Sequence, residues 1–347
     1  MNRRWVLAGA AGLVLLVGAD WLACRALMSN MKGQFNQWAH NLRDQGFTVA
    51  YGPPRGSFSP WGARLIVPAL SISGGKAMLP GGLIWHAERV DLSLALLQPD
   101  TLTVTPAGEQ TLKAAGLPGV AFFADDLTAL VPLSSGRPDE IDITAEGFSG
   151  RLANQPHAQD LRIAAVQLSL QAARGGAART SARLSLEARG VDLPDEGHWP
   201  LGARIGRFDI DLSLASPALS GDAAVEQARA WRDWGGVLTV QSLNLHWGPL
   251  TLNGAAELGL DQQLQPEGQG EAHVGGWAEA LDALARTGSV QTGVAQTAKA
   301  VLALSAHPDQ GDATSQTLEL PFTLQNSTLS VGRIPLMRVN EIVWGGV

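Results

Sequence analysis

The chain has 347 residues, 45% of them hydrophobic and 40 of them glycine, which is enough for one large β domain or two ordinary ones. Only 16% of its residues are charged, below the ~25% of an average soluble domain. A net charge of −7 with scattered Lys and Arg offers no footprint for a phosphate backbone, so nucleic acid is excluded as a partner.

Arg3 and Arg4 precede "WVLAGAAGLVLLVGA", an uncharged run from Trp5 through Leu13 and Leu16 to Ala19. This order matches the charged and apolar regions of an export signal. The run alone is short of a ~30 Å hydrocarbon core, but continuing the helix through "DWLACRALM" supplies the length. Residues 1–28 are therefore expected to form a retained signal anchor, a transmembrane helix containing Trp5, Leu13, Leu16 and Ala19. Cleavage near Val17-Gly18-Ala19 and acylation at Cys24 are the alternatives. Cys24 is the only cysteine, which excludes an intrachain disulfide and a cysteine-based metal site. The short leading tail favours export of the rest of the chain. The expected location is the inner membrane, single-pass, with residues 29–347 in the periplasm.

Next, Met31, Phe35, Trp38 and Leu42 recur on one face of a helix that Gly46 closes. From Phe47 the period changes from 3.6 to 2. "ARLIVPALSIS" alternates around Pro68, a sign of an edge strand or a bulge. "ERVDLSLALL" aligns Val90, Leu92, Leu94 and Leu96, and "DTLTVTP" adds Leu102 and Val104. "DEIDITAEGFSG", "QDLRIAAVQLSLQA", "SARLSLEARG" and "GRFDIDLSLAS" repeat the pattern, the last carrying Phe208, Ile210 and Leu212. The loop at 190–202 is the best candidate for a subdomain boundary.

A helix is expected from Asp222 to Trp234, stopped by Gly235 and Gly236. Leu243, Leu245 and Trp247 then lead through a Gly248-Pro249 turn to Leu250 and Leu252. Between 277 and 304 helical spacing returns in two helices divided by Gly288, the second striped by Val290, Val294, Thr297, Val301 and Leu304. The last strands hold Leu318, Leu320, Phe322 and Leu324, a turn at Asn326 and Ser327, then Leu329 and Val331. The pattern predicts a mainly β protein with a few helices, an antiparallel meander apolar on one face and polar on the other.

No catalytic constellation emerges. The seven histidines lack the paired spacings of zinc sites. Neither a nucleophile elbow nor a phosphate-cradling glycine loop occurs. Asp125, Asp126 and the "DEID" of 139–142 read as solvated turns or edge protection. No catalytic, metal or cofactor residue is assigned and no cofactor is expected. The 11 Trp read as core plugs or rim residues.

What remains is the apolar face, which must close on itself, be lined by helices, or stay open for an apolar guest. Candidate groove residues are Leu92, Leu94, Phe208, Ile210, Leu212, Leu243, Leu245, Leu320 and Phe322.

The stretch "WRDWGGVLTVQSLNLHWGPLTLNGAAELGLDQQLQPEGQGEAHVGGW" resembles a bacterial envelope family, domain of unknown function family 2125. The likeness rests on Trp231 or Trp234, Gly235, Gly236, Trp247, Gly248, Pro249, Leu250, Leu260, Asp261, Pro266 and Gly268. The terminal "LELPFTLQNSTLSVGRIPL" is similar to the ends of AsmA-like proteins. That resemblance implies an anchored periplasmic protein with a long curved antiparallel sheet, taco-like or half-barrel, and a role in handling lipid. It carries over no catalytic residue. The expectation is a non-enzymatic protein that binds or handles membrane lipid in an apolar β groove. An assembly factor pairing with an envelope protein through its sheet edges is the alternative, and an envelope hydrolase stands third.

Overall fold

The computed structural model describes residues 29–44, 46–59, 62–74, 82–95, 97–114, 119–133, 140–152, 161–172, 182–194, 199–215, 224–288, 290–303, 307–308, 316–331, 334–342 and 344. Trp5, Leu13, Leu16 and Ala19 of the expected anchor lie outside them, as do Cys24, Leu96, Asp222 and Leu304. Among the described residues no helix is long and apolar enough to cross a membrane.

The alternating segments form one sheet of 18 strands, paired antiparallel throughout the described residues. A helix, α1 (29–44), precedes the strands β1 (Thr48–Ala50) and β2 (Arg55–Ser59). Both flank β3 (Gly62–Gly74), which pairs with β4 (Leu83–Ala95), and β4 with β5 (Gln98–Ala114). The short β6 (Val120–Phe123) and β7 (Asp126–Pro132) together occupy the next position, between β5 and β8 (Glu140–Leu152). The meander continues through β9 (Leu161–Ala172), β10 (Ala182–Asp192) and β11 (Arg204–Ala215). The expected boundary at 190–202 is the connection between β10 and β11, whose ladder runs from Asp192↔Arg204 without interruption of the sheet.

Helix α2 (Ala224–Asp233) leads into β12 (Val237–Trp247), β13 (Leu250–Leu260) and β14 (Pro266–Gly275). Helices α3 (Trp277–Arg286) and α4 (Thr292–Ala303) and the bridge β15 (His307–Pro308) come next. The chain then completes the sheet with β16 (Gln316–Gln325), β17 (Thr328–Val331) and β18 (Ile334–Arg338).

Pro68 sits inside β3 without breaking it. Its carbonyl accepts from Gly52 N at 2.8 Å, so its nitrogen also points toward the gap between β1 and β2, where no ladder donor is needed. Ala69 beside it takes φ 50°, yet the β3–β4 register runs unshifted from Pro68↔Arg89 to Leu70↔Ala87.

The principal core forms where α1 lies on β3 and β4. Met31, Phe35 and Ala39 pack with Val49, Leu65, Val67, Leu70, Val90, Leu92 and Leu94. Trp38, expected on the buried stripe, is 40% exposed, and Ala39 takes its place at 0%. A helix backbone approaches a pleated sheet most closely through a small residue, which leaves the indole beside the contact. In α4, which packs on α3, a small residue likewise replaces the expected one, Ala295 being fully buried and Thr297 exposed.

Candidate apolar binding face

Side chains directly opposite in a ladder lie on the same face, so the registers show which residues the sheet brings together. From Leu65 one row runs through Leu92, Val104, Ala129, Ile143 and Leu168. It continues through Leu186, Ile210, Leu243, Gly254 and Ala272 to Leu320. Parallel rows place Phe208 opposite Leu245, and Leu212 in line with Phe322 through Val240, Ala256 and Gly270. Leu94 stands two residues from Leu92 on the same face. All nine candidate groove residues therefore share one face of one sheet, although 228 residues of sequence separate Leu92 from Leu320.

Their burial differs. Leu92 and Leu94, at 9% and 6%, belong to the core under α1. Phe208, Ile210, Leu212, Leu243, Leu245, Leu320 and Phe322 are all half-buried, as are Val104, Ile143, Leu168 and Leu186 between them. The row is sealed where α1 covers it and partly open beyond. Nearer β16 the face is built from small residues: a Cβ on Gly270 would collide with the Ala255 carbonyl oxygen and with the tip of the Phe322 ring.

The opposite face is polar. A pocket of about 460 Å³ spans β8 to β12, lined by Asp142, Glu187, Asp209 and Asp211 among serines and amides. Ser242 Oγ donates to Asp211 Oδ2 at 2.8 Å. Hydrogen bonds from Ser185 and then Ser242 hold the Asp211 carboxyl below its usual range, against a smaller opposing effect of burial. Arg207 pairs with Asp209, whose Oδ1 is buried without a hydrogen-bond partner among the described residues. Among those residues no group of three His, Cys, Asp or Glu side chains is placed to hold a metal ion. Asp142 stands mid-sheet in this pocket rather than at a solvated turn. The signal missed in the sequence was register, because Asp142, Glu187 and Asp211 come from three strands that only pairing aligns.

The residues shared with the resembled family hold the sheet's turns and connections. Trp231 Nε1 donates to Ala215 O at 2.7 Å, and a Cβ on Gly236 would collide with that indole. Trp247 Nε1 donates to Gly202 O at 2.7 Å. Asp261 Oδ1 accepts from the backbone N–H groups of Gln263 and Gln265, both at 2.8 Å, and fixes the turn before Pro266.

A family model described as "Uncharacterized protein conserved in bacteria (DUF2125)" matches residues 26–340. No curated protein and no solved structure matches the chain.

Proposed function

The chain belongs to the DUF2125 family, and we propose that it is a non-enzymatic envelope protein that binds or handles membrane lipid on its apolar sheet face. The observation that carries this reading is the row from Leu92 to Leu320, only partly buried once it leaves α1. Acyl chains laid across it would lose their own water and cover that of Ile143, Leu168, Leu186, Ile210 and Leu243. Each methylene removed from water contributes about 0.8 kcal/mol, so ten of them supply about 8 kcal/mol before the cost of ordering the chain. Such binding needs no polar motif. On this reading the sheet curls over its guest as a taco or half-barrel, as AsmA-like proteins do. Residues 1–28 anchor it to the inner membrane with the sheet in the periplasm.

The test is native mass spectrometry of the full chain extracted from bacterial membranes in mild detergent. Phospholipid should travel with the protein, and Ile210→Asp together with Leu243→Asp should reduce that fraction severalfold while far-UV circular dichroism keeps the sheet signal. A protein partner without lipid would favour the assembly-factor reading. Lipid retention unchanged by the two substitutions would contradict the face assigned here.

A further inference from the structure

We propose that the end of the sheet marked by the β4–β5 turn contacts the surface of a lipid bilayer edge-on. The inference rests on the membrane-bound reading above and adds an orientation to it.

Eight large apolar side chains are exposed among the described residues, and four of them gather at this one end. Leu97, 91% exposed, forms the tip of the β4–β5 hairpin. Trp234, 49% exposed, sits in the turn between α2 and β12. Leu130 and Leu170 stand near the ends of β7 and β9 on opposite faces of the sheet. The registers place all four at the same end: moving from Leu92 to Leu94 toward Leu97 is moving from Ala129 to Leu130, from Leu168 to Leu170, and from Leu243 to Val240 toward Trp234. Ile84 and Leu112 mark the opposite end, while Trp38 and Phe123 lie between. Adjacent strands are ~4.8 Å apart, so the six steps from β5 to β12 place Leu97 and Trp234 roughly 30 Å apart along the sheet. Two apolar points that far apart suit a plane better than a pocket.

The path of the chain agrees. At its carboxyl end α1 touches the sheet far from this rim, with Arg43 Nη2 donating to Val49 O at 2.7 Å beside Ile72. Two turns earlier Asn36 accepts from Tyr51, next to the Gly52 and Pro68 contact. Traced backwards, α1 therefore advances along β3 toward Gly62, which pairs with Ala95 near the Leu97 tip. The uncharged run from Trp5 to Ala19 lies in the sequence just before that helix. Bilayer is thus the surface this rim meets, with Leu97 entering the apolar boundary and the Trp234 indole at the headgroups.

The test uses the full chain carrying Cys24→Ala, reconstituted in vesicles of phosphatidylethanolamine and phosphatidylglycerol. Leu97→Cys, Trp234→Cys and, as the opposite-end control, Ile84→Cys each receive an environment-sensitive fluorophore, and spin-labelled lipid serves as quencher. Severalfold stronger quenching at positions 97 and 234 than at 84 is expected. Equal quenching at all three, or the strongest at 84, overturns the orientation. Water-exposed, unquenched labels at 97 and 234 on protein that still retains phospholipid in the mass spectrometer would overturn this inference alone and leave the lipid-binding face standing.

Discussion

Asp211 shows how a carboxylate is held on a sheet with little covering it. Its ladder partners on the polar face are Ser185 and Ser242, and both supply hydroxyl donors. These bonds favour the ionised form, so the native carboxyl titrates below its ordinary value of 3.8. A group depressed in this way stabilises the fold fully above the unfolded value and loses that contribution as pH falls through the native one. Asp211→Asn should therefore lower stability by about 1 kcal/mol near neutrality, and the gap in thermal midpoint should close as pH drops below that value. A gap that stays constant into acid would mean that ionisation of Asp211 contributes nothing. At this scale the sequence was only partly legible. Apolar spacing located α1 with its buried Met31 and Phe35, but it missed the buried Ala39 of α1 and Ala295 of α4, because close approach to a neighbour selects for size as well as hydropathy.

The secondary elements end where local chemistry requires. In α1 Gly46 N donates to Arg43 O and Phe47 N to Leu42 O, and in α2 Gly235 N donates to Arg232 O and Gly236 N to Trp231 O. Both are Schellman closures with glycine at positive φ, 83° and 81°. They were legible because only glycine enters that region freely. The Gly248-Pro249 hairpin is legible for the same reason, with Gly248 at φ 57°. The β16–β17 hairpin differs: Asn326 and Ser327 turn it with φ 49° and 56°, the sign pattern of a type I′ turn. Asparagine tolerates that region, whereas serine is strained in it. Ser327→Gly should raise stability by a few tenths to about 1 kcal/mol, read as a higher denaturant midpoint with unchanged slope. A lower midpoint would show that the Ser327 side chain does more than turn the chain. The division of one strand position into β6 and β7 was not legible, since the break at Asp125 looks like any other acidic turn.

For the whole molecule, strict alternation together with nearest-neighbour antiparallel pairing fixed the faces. A one-residue slip in any ladder would turn all the apolar residues of that strand outward, so register and hydropathy constrain each other strongly. This is why nine residues chosen from alternation alone lie on one face. What alternation could not reveal was how far that face is covered. The answer depends on where the helices lie: α1 covers β3 and β4 beside Val49 of β1, and at the far end of the same face Leu318 of β16 is buried again at 1%. The polar pocket was equally hidden, being assembled across five strands by pairing. Whether lipid occupies the uncovered rows can be read by photo-crosslinking in intact membranes, with a benzophenone amino acid replacing Ile210 on the apolar face or Asp211 on the polar one. Lipid lying on the apolar rows should give phospholipid adducts at position 210 and none at 211. Adducts to protein alone at 210, or equal lipid capture at both positions, would contradict a lipid-binding role for this face.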